Sequence, residues 1–203
     1  ITLPLTNPEF SDTKVKCIIE NVVSAKKLIQ NKQLLFGTIY TFLIWRLTNK
    51  ISHLTDATNA SRTLMYNINS NKWDEDILNK LKIPKSILPE VKNSADNFGI
   101  TSKKIIGEEI PIHAVLGDQQ AAAVGQTCFE KGSVKSTYGT GAFAIINTGD
   151  KTILSTNKLL TTICYRFKNT HTYAFAGSIF IACSGIPLLR DKLTLIDNSY
   201  IIF

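Results

Sequence analysis

The sequence predicts an α/β protein, and three patterns predict it. Through the first half of its 203 residues, apolar side chains return at three- and four-residue steps, the period of a helix with one buried face. Through the second half, short apolar runs alternate with glycine turns, as strands do. Between them, Ile110 to Gln126 reads as a strand, a glycine turn and an alanine-rich helix start, which is one α/β unit. A hydrophobic share of 44%, with 19% charged residues and a mean hydropathy of +0.04, excludes a disordered or collagen-like chain.

Taken in order, Val15, Ile18, Ile19, Val22, Ala25, Leu28 and Ile29 define one amphipathic helix from Ser11 to Gln30, with Ser11 or Asp12 as its expected cap. A second helix starts near Thr38, is apolar on most sides through Leu47 and is therefore expected to be buried, and Thr48-Asn49-Lys50 stops it. Thr55 to Thr63 is small and polar. Trp73-Asp74-Glu75-Asp76 opens a short helix through Leu81, and Pro84 and Pro89 punctuate the chain beyond it, so this stretch reads as short helices joined by loops. Ile110 to Leu116 reads as a strand, Gly117 as a tight turn and Asp118 as the cap of a helix over Gln119 to Gln126. Val134 to Tyr138 and Ala142 to Asn147 read as strands around Gly139-Thr140-Gly141, with a turn after them at Thr148-Gly149-Asp150. Leu160 to Phe167 and Thr172 to Phe175 are two further strands, and a last helix runs from Gly177 or Ser178 towards Lys192, kinked at Pro187. The result is a mostly helical piece to about Gly107 and a strand-rich piece from about Ile110.

With 23 basic and 16 acidic residues the net charge is +7. Lys outnumbers Arg 19 to 4 and no basic run exceeds two residues, so the charge is not gathered into a nucleic-acid-binding stripe, and no nucleic-acid partner is expected. The longest uncharged stretch, Asn169 to Leu189, is interrupted by Asn169, Thr170, His171, Thr172, Ser178, Ser184 and Pro187, and no membrane span is expected there. Cys17, Cys128, Cys164 and Cys183 lie far apart and His53, His113 and His171 are isolated. These are the small thiols and scattered histidines of a cytoplasmic protein without a metal site.

Two places carry chemistry. Gly117-Asp118-Gln119-Gln120 delivers a carboxylate from a strand to a helix N-terminus, where α/β proteins build their ligand crevices, although capping alone would also use Asp118. Gly139-Thr140-Gly141 is a turn whose glycines let backbone N–H groups approach a phosphate and whose threonine adds a hydroxyl, although most such turns are only hairpins. The two are expected to face each other.

In order along the chain stand Phe10-Ser11, Leu34-Leu35-Phe36-Gly37-Thr38, Leu43-Ile44-Trp45, Asp56-Ala57-Thr58-Asn59-Ala60-Ser61-Arg62-Thr63, Leu88-Pro89-Glu90-Val91, Gly117-Asp118-Gln119-Gln120-Ala121-Ala122, Thr137-Tyr138-Gly139-Thr140-Gly141 and Leu189-Arg190-Asp191. With these blocks the chain resembles the FGGY carbohydrate kinase family of the actin-like ATPase superfamily, and within it the branch that phosphorylates glycerol. The resemblance implies partial actin-like (ribonuclease H-like) ATPase lobes. Residues 1–126 would be the C-terminal part of the N-terminal lobe, and residues 127–203 the N-terminal part of the C-terminal lobe. It implies ATP-dependent conversion of glycerol to glycerol 3-phosphate with Mg²⁺, release of ADP, a cytoplasmic setting and homo-oligomeric full-length relatives. Asp118 would be the general base, Asp118 and Gln119 would bind glycerol hydroxyls, Phe143 would pack on the glycerol carbons, and Gly139, Thr140 and Gly141 would contact phosphate.

Departures accompany the resemblance. Glu9 stands where the family has a tyrosine contact for glycerol, Ala176 replaces a glutamate, Cys183 and Pro187 replace a glycine and a glutamine facing the nucleotide, and Thr101 to Gly107 lacks the glycines of a regulatory loop. The chain opens at Ile1 with Met65 as its only methionine, and the family's N-terminal phosphate hairpin and adenine wall are expected outside it. The chain alone is therefore expected to bind Mg-ATP weakly and release no ADP. The alternatives are a non-catalytic remnant or interaction subunit of a split kinase, and a kinase for another small polyol. Severed sheets would leave Ile145, Ile146, Ile163, Phe175, Ile179 and the Tyr200 to Phe203 tail short of cover.

Overall fold

The computed structural model describes residues 10–198; Glu9 and the Tyr200 to Phe203 tail, singled out above, lie outside the described residues. The long first helix is two helices, α1 (Ser11–Asn21) and α2 (Val23–Gln30), because Val22 takes an extended conformation between them. Neither Ser11 nor Asp12 caps α1. Phe10 occupies that position without a side-chain bond, and Asp12 is buried inside the helix. Helix α3 (Ile39–Leu47) forms where its apolar run predicts, yet only Thr41 and Ile44 are buried, while Ile39, Phe42 and Leu43 are exposed. An all-round apolar pattern says how much could be buried, not how much is.

The small polar stretch after α3 is the interior of the molecule. Leu54–Asp56 forms β1 and Ala57–Ser61 forms α4, and every residue from Thr55 to Ser61 is buried. Small side chains allow this, since they let backbones approach closely while their hydroxyls and amides bond one another. Tyr66–Asn67 (β2) and Lys72–Trp73 (β3) pair antiparallel as a hairpin, with the Tyr66 and Trp73 rings edge to face at 5.5 Å. Helix α5 (Glu75–Leu81) starts as predicted, its cap Asp74 accepting the Ile77 N–H at 3.1 Å. After a 3₁₀ turn at Lys85–Ile87, β4 (Glu90–Lys92) pairs in parallel with β1, Asp56 opposite Lys92. Helix α6 (Lys103–Ile106) is one short turn closed by Gly107 at φ 88°.

The strand predicted for Ile110 to Leu116 is not regular. It is extended chain joined to residues 94–101 by isolated bridges at Ala95/Ala114 and Ile100/Pro111, because Pro111 has no N–H to sustain a ladder. Helix α7 (Asp118–Gly125) comes next, with Gly117 as N-cap and Asp118 as its first residue, so Asp118 is not the cap it was expected to be.

Beyond α7 lies one antiparallel four-stranded sheet in the order β5-β6-β8-β7. Its strands are β5 (Val134–Tyr138), β6 (Ala142–Gly149), β7 (Leu160–Phe167) and β8 (Thr170–Ile179). Strand β6 continues through the predicted turn, with Gly149 at φ 86°. Lys168 and Asn169, both at positive φ, form the two-residue loop that reverses β7 into β8. The last helix is the largest miss. Residues to Ile179 belong to β8, and only short turns at Gly185–Pro187 and Leu188–Lys192 come after it. Strand β8 pairs with β7 as far as Ala176 and with β6 as far as Ile179, and this pairing outweighs the helical spacing of its last apolar residues.

The sheet is covered more fully than the sequence suggests. Ile145 is buried with Ala123 of α7, Cys128, Cys164 and Ala174 in one cluster. Ile163 and Tyr173 are buried on the other side, in the large cluster that holds Val15, Ala57, Met65 and Trp73. Ile146 and Phe175 are half-buried, and Ile179 is exposed as expected. Full burial of a side chain such as Met65 or Ile163 contributes about 1.5–3 kcal/mol.

Candidate active site

The site is built on a buried polar foundation. Asp56, fully buried, accepts five hydrogen bonds: from the Thr58 and Asn59 N–H groups, the Thr58 and Ser94 hydroxyls and the Asn59 amide, at 2.7–3.0 Å. Such convergence meets the desolvation cost of an interior carboxylate. Ser94 Oγ also accepts the Arg166 N–H at 3.1 Å, which ties β1, the chain after β4 and β7 together. Arg166 is buried too, its guanidinium donating to Asn93 Oδ1, the Tyr66 hydroxyl and the Val91 carbonyl.

From this foundation Thr58 reaches the Gly117-Asp118 turn. Its Oγ accepts the Gly117 N–H at 2.9 Å while donating to Asp56. A Cβ at position 117 would come within 2.7 Å of Gln120 Oε1, so a larger residue there would displace the Gln120 side chain. The Gln120 amide in turn reaches the Ile163 carbonyl, fixing the start of α7 to the sheet.

Asp118 then stands exposed at the first position of α7. Its N–H donates to the Tyr40 hydroxyl of α3 at 3.0 Å, and burial together with the Asp118 charge pushes that hydroxyl's pKa up. The Gln119 amide donates to Asp118 Oδ2 at 3.2 Å, and Gln119 Oε1 accepts from Lys135 Nζ at 2.6 Å. Lys135 pairs across the sheet with Ile145, and Thr137 with Phe143. Side chains alternate along a strand, so Lys135, Thr137, Phe143 and Ile145 share the face on which α7 packs. Asp118, Gln119 and Phe143 are thereby brought to one side of the sheet.

Gly139-Thr140-Gly141 lies at the far end of β5, four residues or about 13 Å beyond Lys135. Thr140 is exposed. The Thr140 carbonyl accepts the Ala182 N–H and the Ser184 hydroxyl, and the Gly139 carbonyl accepts the Cys183 N–H. A Cβ at Gly141 would lie 2.7 Å from the Ile179 carbonyl, whereas Gly139 has only the Gly141 carbonyl within 4 Å. One glycine is thus a packing requirement and the other is open. Among the described residues, no three His, Cys, Asp or Glu side chains gather where they could hold a metal ion, and no helix is long and apolar enough to cross a membrane.

Three residues at this site escape a reading of the sequence. Tyr40 looks like an apolar member of a buried helix, and Thr58 like part of a polar stretch. Lys135 leaves no signal: alternation sets Val134 and Tyr138 on the opposite face of β5, yet those two are exposed and the lysine is buried.

An α/β fold with an open, polar helix start over an antiparallel sheet is the lobe architecture of a sugar kinase. The chain belongs to the FGGY family of carbohydrate kinases, the model of whose N-terminal domain matches residues 1–125. It is 56% identical over 195 residues to a glycerol kinase of Chelativorans sp. and 50% identical over 196 residues to glycerol kinase 1 of Pseudomonas aeruginosa. These matches cover 96% and 97% of this chain but 39% and 40% of the relatives, so the chain spans about two fifths of their length. The crystal structure of Plasmodium falciparum glycerol kinase with ADP superposes with a TM-score of 0.88 at 41% identity, covering 96% of this chain and 39% of that one. A ligand-bound xylulose kinase from Lactobacillus acidophilus, at a TM-score of 0.73 and 20% identity over 90% of this chain and 36% of that one, shares the fold.

Proposed function

We propose that this chain forms the glycerol-facing part of a glycerol kinase, which transfers the γ-phosphoryl group of ATP to glycerol and yields glycerol 3-phosphate and ADP. The observation that carries the reading is the exposed Asp118 carboxylate, held at the start of α7 and bonded by the Gln119 amide, on the sheet face that also carries Phe143. The names of its relatives supply the substrate.

In this mechanism a terminal hydroxyl of glycerol donates a hydrogen bond to the free oxygen of Asp118. As the hydroxyl oxygen forms its bond to phosphorus and the bond to the ADP oxygen breaks, Asp118 takes the proton. Gln119 orients a neighbouring hydroxyl, and the half-buried Phe143 ring packs against the carbon chain, which fixes the attacking oxygen in line. The Gly139-Thr140-Gly141 turn, with exposed Thr140 at its tip, receives phosphate oxygens. ATP would enter as its Mg²⁺ complex, with phosphates and waters supplying ligands that the described residues do not cluster. We draw the lobe boundary after Gln126, where α7 ends, with Ile163 and Tyr173 reaching back into the first lobe's core. A cytoplasmic setting suits the four free cysteines.

The test is an exchange. The 195 matched residues of this chain replace the corresponding segment of the Chelativorans relative, and ATP-dependent formation of glycerol 3-phosphate is measured. The reading expects turnover with glycerol; a folded exchange protein that turns over xylulose but not glycerol would overturn it.

A further inference from the structure

Lys135 is a buried charge that the proposed mechanism does not use. It is 1% exposed, its Nζ bonds the Gln119 amide oxygen at 2.6 Å, and no ion pair holds it among the described residues. Lysine is among the residues most costly to bury, so its retention on the face under α7 calls for a reason.

The geometry points to Lys135 as a positioning residue for the Asp118 carboxylate, acting through the side-chain amide of Gln119. This role rests on donor and acceptor type and on the glycerol-site reading above. An ammonium group only donates, so Gln119 must turn its Oε1 towards Lys135. The same rigid amide must then present its Nε2 on the other side, where it donates to Asp118 Oδ2 at 3.2 Å. That bond occupies one carboxylate oxygen and leaves the other for substrate. Without the lysine, Gln119 Oε1 loses the donor that anchors it, and the amide is free to swing away from the carboxylate. Strand β5 supplies the rigidity, since Lys135 stands directly opposite Ile145 in the ladder. Burial lowers the affinity of Lys135 for its proton below that of a free lysine, and the nearby Asp118 charge offsets only part of that lowering.

The test uses the 203-residue chain in three variants: Lys135→Met, which keeps the shape and removes the donor; Lys135→Arg, which keeps donors; and Lys135→Gln, which can donate or accept. The Gln119 side-chain amide is followed by ¹⁵N NMR, assigned by its disappearance in Gln119→Leu, and glycerol affinity is measured on the same samples. In the wild type one sharp amide pair is expected. In Lys135→Met it should shift or split, with glycerol affinity down about tenfold, and Lys135→Arg should restore both to within about threefold. Lys135→Gln should give two amide forms, which decides the matter if the Met variant does not fold. An unchanged amide pair in both Lys135→Met and Lys135→Gln overturns the proposal, as does a shifted pair with unchanged glycerol affinity. A wild-type chain that ignores glycerol counts against the glycerol reading, while the amide comparison still judges the coupling of Lys135, Gln119 and Asp118.

Discussion

Replacing Asp56 by asparagine changes one buried oxygen to an NH₂ group, and the hydrogen bonds converging there let the cost be worked out. If the asparagine keeps its oxygen at the Oδ1 position, the bonds from the Thr58 hydroxyl and from the Asn59 N–H and amide survive, but to a neutral acceptor. The new NH₂ then faces the Thr58 N–H, two donors about 3.0 Å apart. Ser94 can reverse its hydroxyl and accept, so its bond is kept in altered form. A buried N–H left unsatisfied costs about 1–3 kcal/mol, and bonds to a charged acceptor exceed neutral ones by about 1 kcal/mol or more, giving a loss of about 4 kcal/mol. For a chain of this size each kcal/mol moves Tm by about 2–4 °C, so the melt should fall by about 10 °C. Differential scanning calorimetry of wild type and Asp56→Asn measures it. A shift under about 2 °C, the smallest expected for a single kcal/mol, would refute the claim that this carboxylate is the foundation of the site.

Thr58→Val removes the acceptor for the Gly117 N–H, so stability should fall by about 2–3 kcal/mol and glycerol affinity with it, while Thr58→Ser retains both bonds and should lose less than half as much; paired melts and titrations read the difference. Burial pushes the Cys164 thiol up to about 11, so it stays protonated in the fold where the unfolded chain has ionised. Stability should therefore be complete below about pH 9 and decline by about 2 kcal/mol as pH rises to about 11, a slope that urea titrations across this window should find flattened in Cys164→Ala.

The elements most legible in the sequence are those whose local pattern and tertiary setting agree. Strands β5 and β7 can be read to the residue because turn residues bound their β-branched and aromatic runs, and α5 announces itself by its Asp74 cap. The carboxylate at Asp118 is legible from its place after a glycine at a helix start. Local pattern fails where long-range pairing decides the outcome. Ser178 and Ile179 join β8 because β6 waits beside them, Ile110 to Leu116 loses its ladder to Pro111, and the Thr55 to Ser61 stretch hides a core made of hydroxyls. Tyr40 and Lys135 are invisible for the same reason: each matters through a partner 78 or 16 residues away.

The most direct measurement is a comparison of kcat and glycerol KM for Asp118→Asn and wild type in the segment exchanged into the Chelativorans relative. Asparagine keeps the size and hydrogen-bonding reach of the side chain but cannot take up a proton. If Asp118 is the base, kcat should fall by about 10²–10⁴ while KM for glycerol stays within a few fold, since binding survives and proton transfer does not. A kcat reduced less than tenfold, or a loss confined to KM, would contradict the account and reduce Asp118 to a binding residue.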